Sequence, residues 1–298
     1  MKIHSSEQIQ YFKRLLENKI SFALARYADG ERLFMEGKKA TGIDGWSSPE
    51  GINPIGQRLR ASIARASQNG TYVGISCDST DEGSKIFFLN LLKDIDTEKI
   101  TFSNLFVNAN YKYFREQIIP ALFKKKIILI CNSSGLSQGG FFWDTESFID
   151  IIPVGADCVS FWQKSGETFE RLIKIAALKH SDALFLFAAG PISSIIIPEL
   201  WDLNNLNTYI DVGSALDPYM FHKSTRPYQI EGHPDQSITS EIEVSDLPRE
   251  HPSPGIAVIL NIYKRYDNTQ RLIQSIQNQT SPPVKFIYCL TQSPQVSY

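Results

Sequence analysis

Two carboxylates separated by a single glycine, Asp29-Gly30-Glu31, stand directly after an apolar run in ISFALARYADGE, residues 20–31. Carboxylates this close repel unless a cation or a proton lies between them. Mg²⁺ and Mn²⁺ take oxygen ligands, commonly one or two carboxylates together with substrate phosphates. A D-x-E at a strand-to-loop junction therefore suits a metal–diphosphate site. A solvated acidic turn, with Glu31 favoured by the dipole of a helix it opens, is the other reading. Arg26, three residues before Asp29, could pair with a carboxylate or bind a phosphate bidentately.

Further residues of this kind lie downstream. Gly190-Pro191 follows an apolar strand and is either a turn where backbone meets ligand or a plain helix start with proline near its first position. Asp211 and Asp217, in and after TYIDVGSALDPY, could each take a proton from an acceptor hydroxyl or cap a helix. Arg226 in STRPY could reach a phosphate. The five histidines show no metal-ligand spacing, and only His222 lies near such residues. Trp46, in a Gly-rich loop, could stack on a sugar or base, or serve in the core or a lid.

The elements that must position these groups alternate. Helical spacing is present at 5–18, with Ser5 or Ser6 as cap, and at 30–36, 57–68, 84–95, 111–123 with a break at Pro120, 165–180 capped by Ser165, and 192–203. Continuous apolar strands are expected at 20–25, 71–77, 125–131, 148–155, 183–189 and 208–214, with a strand and loop at 99–108. This pattern predicts an α/β fold with a mostly parallel, Rossmann-like sheet covered on both faces. Ligands bind such sheets at the carboxyl ends of strands, and the acidic turn, the NSSG loop after residue 131, Gly190-Pro191 and Asp211-Val212-Gly213 all fall there. From residue 222 the chain turns polar and Pro-containing. At about 255 a new strand–helix–strand unit begins, too short to cover a sheet by itself, so the chain is expected to be a piece of a longer protein. The expected division is a first domain at 1–235, a linker at 236–254 and a fragment at 255–298.

Composition narrows the function. The chain has 298 residues, 42% hydrophobic and 21% charged, with a net charge of −2. It has no basic block and no field suited to nucleic acid. Four scattered cysteines without C-x-x-C predict buried reduced thiols and a cytoplasmic setting. No run reaches the roughly 18 apolar residues of a membrane span; peripheral association stays open.

SFALARYADGE resembles the opening of the GT-D glycosyltransferases, a bacterial family first described as a domain of unknown function. IGQRLRASIARASQNGTYVGISC, LFLFAAGPISSIIIPELW and NTYIDVGSALDPYMF with STRPYQ are similar to later segments of that family, in order, over roughly residues 15–230. The resemblance implies a sheet that binds a nucleotide-sugar diphosphate, UDP by default. Asp29 and Glu31 would hold Mn²⁺ or Mg²⁺. Arg26, Tyr27, Gly30, Gly190, Pro191, Gly213 and Arg226 would lie on the donor, and Asp217 or Asp211 would act as base. Another branch of that family closes with a Gly-His segment; this chain has Gly213-Ser214 and Asp217-Pro218 instead, so no role passes from that histidine. IAVILNIYKRYDNTQRLIQSIQNQT resembles the entry of a family two GT-A glycosyltransferase, whose metal motif and base would lie past Tyr298; this fragment is expected to be inactive. The expected activity is transfer of a sugar to a glycan, glycoprotein or glycolipid in bacterial surface glycan synthesis. A non-catalytic glycan or nucleotide-sugar binding domain serving the second transferase is the rival.

Overall fold

In a computed structural model, residues 2–39, 41, 47, 50–51, 53–92, 95–136 and 147–248 are described in full, and the backbone is described for 40, 48, 258–262 and 286–290. Trp46 lies outside the described residues. The chain divides into two compact units, Met1–Pro248 and Arg249–Tyr298.

The first unit is an α/β structure. Its strands are β1 (Lys2–His4), β2 (Ala23–Tyr27), β3 (Ala40–Thr41), β4 (Ser47–Ser48), β5 (Tyr72–Ile75), β6 (Ile100–Phe102), β7 (Lys126–Asn132), β8 (Phe148–Val154), β9 (Ala183–Ala188), β10 (Thr208–Asp211) and β11 (Glu241–Glu243). Its helices are α1 (Ser5–Glu17), α2 (Asp29–Glu36), α3 (Pro54–Asn69), α4 (Ser84–Leu91), α5 (Tyr111–Tyr113), α6 (Ile119–Leu122), α7 (Ser133–Leu136), α8 (Cys158–Lys179), α9 (Pro191–Leu203) and α10 (Asp217–Phe221). Seven strands form one sheet in the order β6-β5-β2-β10-β9-β7-β8, and every neighbouring pair in it is parallel.

Strand alternation builds a core on each face. Ala23, Ala25, Tyr27, Ile128, Ile130, Phe185 and Phe187 point to one side, where α3, α8 and α9 pack. Leu24, Ile127, Leu129, Leu184 and Leu186 point to the other, against α1 and the 111–122 segment. In α1, Ile9, Phe12, Leu15 and Leu16 form the buried stripe. Helix α9 is buried nearly all round, because it lies between the sheet and both α3 and α8. Gly56, in the first turn of α3, allows α2 to come close: a Cβ there would lie 2.1 Å from the Phe34 carbonyl oxygen.

The elements differ from expectation in several places. Strand β2 runs to Tyr27, so Asp29 begins α2 directly. Helix α1 has no side-chain cap; Ser5 is buried and its backbone N–H donates to the Ser240 carbonyl. Helix α8 starts at Cys158, capped by Asp157, whose Oδ1 accepts from the N–H groups of Val159 and Ser160, and Ser165 is interior. The 111–122 segment does not break at Pro120; a π-helical stretch, Phe114–Ile118, joins α5 to α6. Proline lacks the N–H of a regular ladder, and the wider turn accommodates that loss.

Residues 236–248, expected as linker, belong to the first unit, where β11 pairs antiparallel with β1. In the second unit β12 (Val258–Ile262) and β13 (Phe286–Leu290) form a parallel pair. No helix among the described residues is long and apolar enough to cross a membrane.

Candidate active site

Right-handed crossovers decide where the sheet can hold a ligand. The chain leaves β9 over one face through α9 and returns at β10. It leaves β7 over the opposite face, through α7, where Gly135 touches Met220 and Phe221 of α10. The loops therefore part between the carboxyl ends of β7 and β9, the switch point at which such sheets bind ligands. A cleft lies there. Asn132 at the end of β7, Gly155 and Cys158 after β8, Gly190 after β9, and Gly213, Asp217 and Arg226 after β10 line it. Its enclosed part holds about 100 Å³, and the wider mouth brings the empty space to about 580 Å³.

Four of the residues singled out in the sequence thus meet in one place. Gly190, at φ 57 and ψ −144, takes a backbone conformation suited to glycine and opens α9, with Pro191 at the first helical position. Pro191 itself is buried. Asp217 is buried at 5% exposure. The Thr225 hydroxyl donates to its Oδ2, and Arg226 Nη1 lies 4.0 Å from the same oxygen. Gln229 fixes this corner: its Oε1 accepts from the N–H groups of Thr225 and Arg226, and its Nε2 donates to the Ser214 carbonyl. His222 is exposed at the end of α10.

Between the cleft and the acidic turn lies an ion pair. Arg26 on β2 and Asp211 on β10 face each other, with Nε 3.7 Å from Oδ2, and both side chains are nearly buried. Asp211 Oδ1 also accepts the Gly213 N–H at 2.9 Å. Burial pushes the Asp211 carboxyl above its ordinary value, and Arg26 opposes that shift. The guanidinium lies over Gly213, at φ 52, where a Cβ would be 2.2 Å from Arg26 Nη2. Among the described residues, Arg26 Nε and Nη1 are buried without a hydrogen-bond acceptor. Donors left this way are costly unless a ligand completes them.

The acidic turn lies at the end of β2, two strand spacings or roughly 10 Å along the sheet edge from β9. Its two carboxylates have different surroundings. Asp29 is exposed on the first turn of α2, next to Gly30. Glu31 is buried, and its Oε2 accepts the Ala28 N–H at 2.9 Å, half of a capping box. Burial drives the Glu31 pKa up to about 7; the Ala28 hydrogen bond opposes the rise, and the charges of Asp211 and Asp29 add to it. Among the described residues no group of three or more His, Cys, Asp or Glu is placed to hold a metal ion. Mg²⁺ is commonly bound by one or two carboxylates with phosphate and water completing the shell; Asp29 and Glu31 lie two residues apart on the first turn of α2, one exposed and one buried.

Tyr27 is placed elsewhere. It is fully buried, its hydroxyl bonded to Ser62 Oγ and the Ser194 carbonyl. The Ser194 hydroxyl in turn donates to the Arg26 carbonyl at 2.5 Å. Tyr27 thus ties β2 to α3 and α9. Sequence reasoning missed Asn132, Cys158, Met220 and Phe221 in the cleft wall. The polar NSSG loop after the clearest strand was the signal for Asn132, whose Oδ1 accepts from the Ser134 N–H and hydroxyl.

No protein-family model matches the chain, and no curated protein matches it. Solved structures do. A selenomethionine-substituted structure of domain of unknown function 1792 aligns at a TM-score of 0.50 with 14% identity, covering 74% of this chain and 82% of that one. A structure described as showing that this highly conserved domain has a distinct glycosyltransferase fold aligns at 0.49, with the same identity and coverage. One described as a new glycosyltransferase from Streptococcus sanguinis aligns at 0.48 with 15% identity, covering 74% of this chain and 85% of that one. The seven-stranded parallel sheet flanked by helices is thus similar in fold to domain of unknown function 1792.

Proposed function

We propose that the first unit is a metal-dependent glycosyltransferase that moves a sugar from a nucleotide-diphosphate sugar, a UDP-sugar in the first instance, to a glycan, glycoprotein or glycolipid. The carrying observation is the gathering of cationic, anionic and backbone groups at the carboxyl edge of one parallel sheet. Arg26, with two buried donors that find no acceptor among the described residues, lies between the acidic turn and the cleft at the β7/β9 switch point. The resemblance of SFALARYADGE and the later segments to the GT-D family supports the same reading.

Asp29 and Glu31 would hold Mn²⁺ or Mg²⁺, which when bound offsets the negative charge of the leaving diphosphate. The Arg26 Nε and Nη1 donors are suited to a phosphate oxygen. The opening of α9 at Gly190 offers backbone at close approach. Asp217, which accepts a hydrogen bond from the Thr225 hydroxyl and lies beside Arg226, would accept the acceptor's hydroxyl proton. In that step the new glycosidic bond forms at the sugar's anomeric carbon. The bond to the diphosphate breaks, and the nucleoside diphosphate leaves with the electron pair. Asp211 is engaged with Arg26 and the Gly213 N–H, which suits it to positioning Arg26.

The test is a thermal-shift titration with UDP, with and without Mn²⁺, followed by hydrolysis of UDP-sugars. UDP is expected to raise the melting temperature only with the metal. Replacing Asp29→Asn with Glu31→Gln is expected to abolish that increment. Equal stabilisation of parent and double variant would overturn the metal assignment. Nucleotide binding without turnover on any donor would favour a binding domain.

A further inference from the structure

A second cavity, of about 860 Å³, lies between the first turns of α3 and the middle of α8. Its chemistry is carried by Gln57 and Arg58 on one wall and by Trp162, Gln163, Thr168 and Glu170 on the other. Arg58 and Glu170 of its lining belong to an ion-pair network, and the exposed Lys164 and Glu167 add one charge of each sign. Arg58 bonds Glu170 through Nη1 and Glu199 through Nη2, each at 2.8 Å. Lys174 holds Glu199 at 2.7 Å and Glu170 at 3.3 Å. Of the lining residues, Arg58 and Lys164 are balanced by Glu167 and Glu170, so the cavity has no net charge to offer a phosphate. The Arg58 guanidinium also lies 5.3 Å from the Trp162 ring centre, which orients the indole. Gly166 lets that ring lie along the helix, since a Cβ there would come within 3.2 Å of it. Gln57 and Gln163 are exposed, and each amide both donates and accepts.

An indole, two amides, hydroxyls and a fixed guanidinium with no net charge suit a neutral polyhydroxylated ligand. Its C–H face can lie on the aromatic and its hydroxyls on the amides. An apolar peptide would leave those amides and the ion-pair network desolvated without partners. The location adds to this. Cys158, in the cleft wall, and Trp162 are four residues apart on α8, hence on one face and about 6 Å apart along the axis. We infer that this cavity is an acceptor subsite, holding carbohydrate units behind the hydroxyl that receives the transferred sugar. The inference rests on the glycosyltransferase reading and adds to it where the acceptor chain lies.

The full chain, labelled with 5-fluorotryptophan, reports on this by ¹⁹F NMR, with Trp162→Phe assigning the resonance. Maltotriose, cellotriose and chitotriose are the probes, and UDP with Mn²⁺ is the control. At least one trisaccharide is expected to shift the Trp162 signal saturably while UDP leaves it in place. Gln57→Ala combined with Gln163→Ala, at exposed positions, is expected to weaken that binding about tenfold while UDP and Mn²⁺ still raise the melting temperature. No shift with any trisaccharide, or a shift with UDP, overturns the inference. Saccharide binding at Trp162 in a chain that binds no nucleotide overturns the acceptor assignment together with the transferase reading. Nucleotide turnover without any saccharide effect overturns the subsite alone.

Discussion

Glu31 carries opposing requirements in one side chain: its position inside the fold favours the neutral acid, and a bound cation needs the anion. Its pKa of about 7 in the folded chain lies above the ordinary 4.5. The neutral form therefore contributes stability that is complete below pH 4.5 and is lost as pH rises through 7. For the metal-free protein the ceiling of that loss is about 3 kcal/mol. Glu31→Gln is expected to flatten this part of the profile and to melt above the parent at pH 8 without metal. Urea titrations of both proteins across pH 4–8 check it; identical slopes would refute the assignment. Gly213 gives a second test at this scale. Its positive φ and the overlying Arg26 leave no room for a Cβ. Gly213→Ala is expected to cost about 1–3 kcal/mol, and to weaken UDP binding at least tenfold by displacing the guanidinium. Unchanged affinity in titration calorimetry would show that Arg26 does not touch the donor. The sequence made the acidic turn, Gly190, Asp217 and Arg226 legible because glycine, proline and charge mark strand ends. It hid the inward turn of Glu31. The usual capping-box signature begins with Ser or Thr, and here the cap position is Ala28, which only its backbone N–H engages.

At the scale of elements, α2 and α3 are set by one close approach. Gly56 lies against the Phe34 carbonyl, and Asn53 caps the same turn by accepting the Gly56 N–H at 2.7 Å. Gly56→Ala is expected to push α2, and with it the acidic turn, away from α3 at a cost of about 1–3 kcal/mol. A drop in melting temperature together with weaker Mn²⁺-dependent UDP binding is the expected pair of results. A drop in stability alone would show that the turn holds its place without α3. The long apolar strands and α9 were readable because burial on both faces leaves continuous Ile, Leu and Phe runs. The start of α8 was not, because Val159, Phe161 and Trp162 follow a strand closely and mask the cap at Asp157. The π turn before Pro120 has no periodicity of its own. It exists because that segment packs Phe114, Ile118 and Leu122 into the second core despite the missing N–H.

At the scale of the whole chain, the parallel sense of the sheet followed from alternation of helix and strand, whereas the order of its strands did not, and β1 and β11 escaped notice because three residues carry no pattern. Their pairing brings Ile3 opposite Ile242, and Ile242 and Leu247 are both buried in the core. A piece ending at residue 235 is therefore expected to melt lower than one ending at Pro248, which keeps both. Equal melting temperatures would show that β11 adds nothing. This pairing also sets a schedule during synthesis. At about 5–20 residues per second, roughly 10–50 s separate the emergence of β1 from that of the strand it pairs with. No strand of the large sheet has a hairpin neighbour, so its pairings too wait for long crossovers. The residues of β1 thus wait through nearly the whole unit before they find a partner, and an arrested chain ending short of residue 241 presents an unpaired strand edge to chaperones and to other nascent chains.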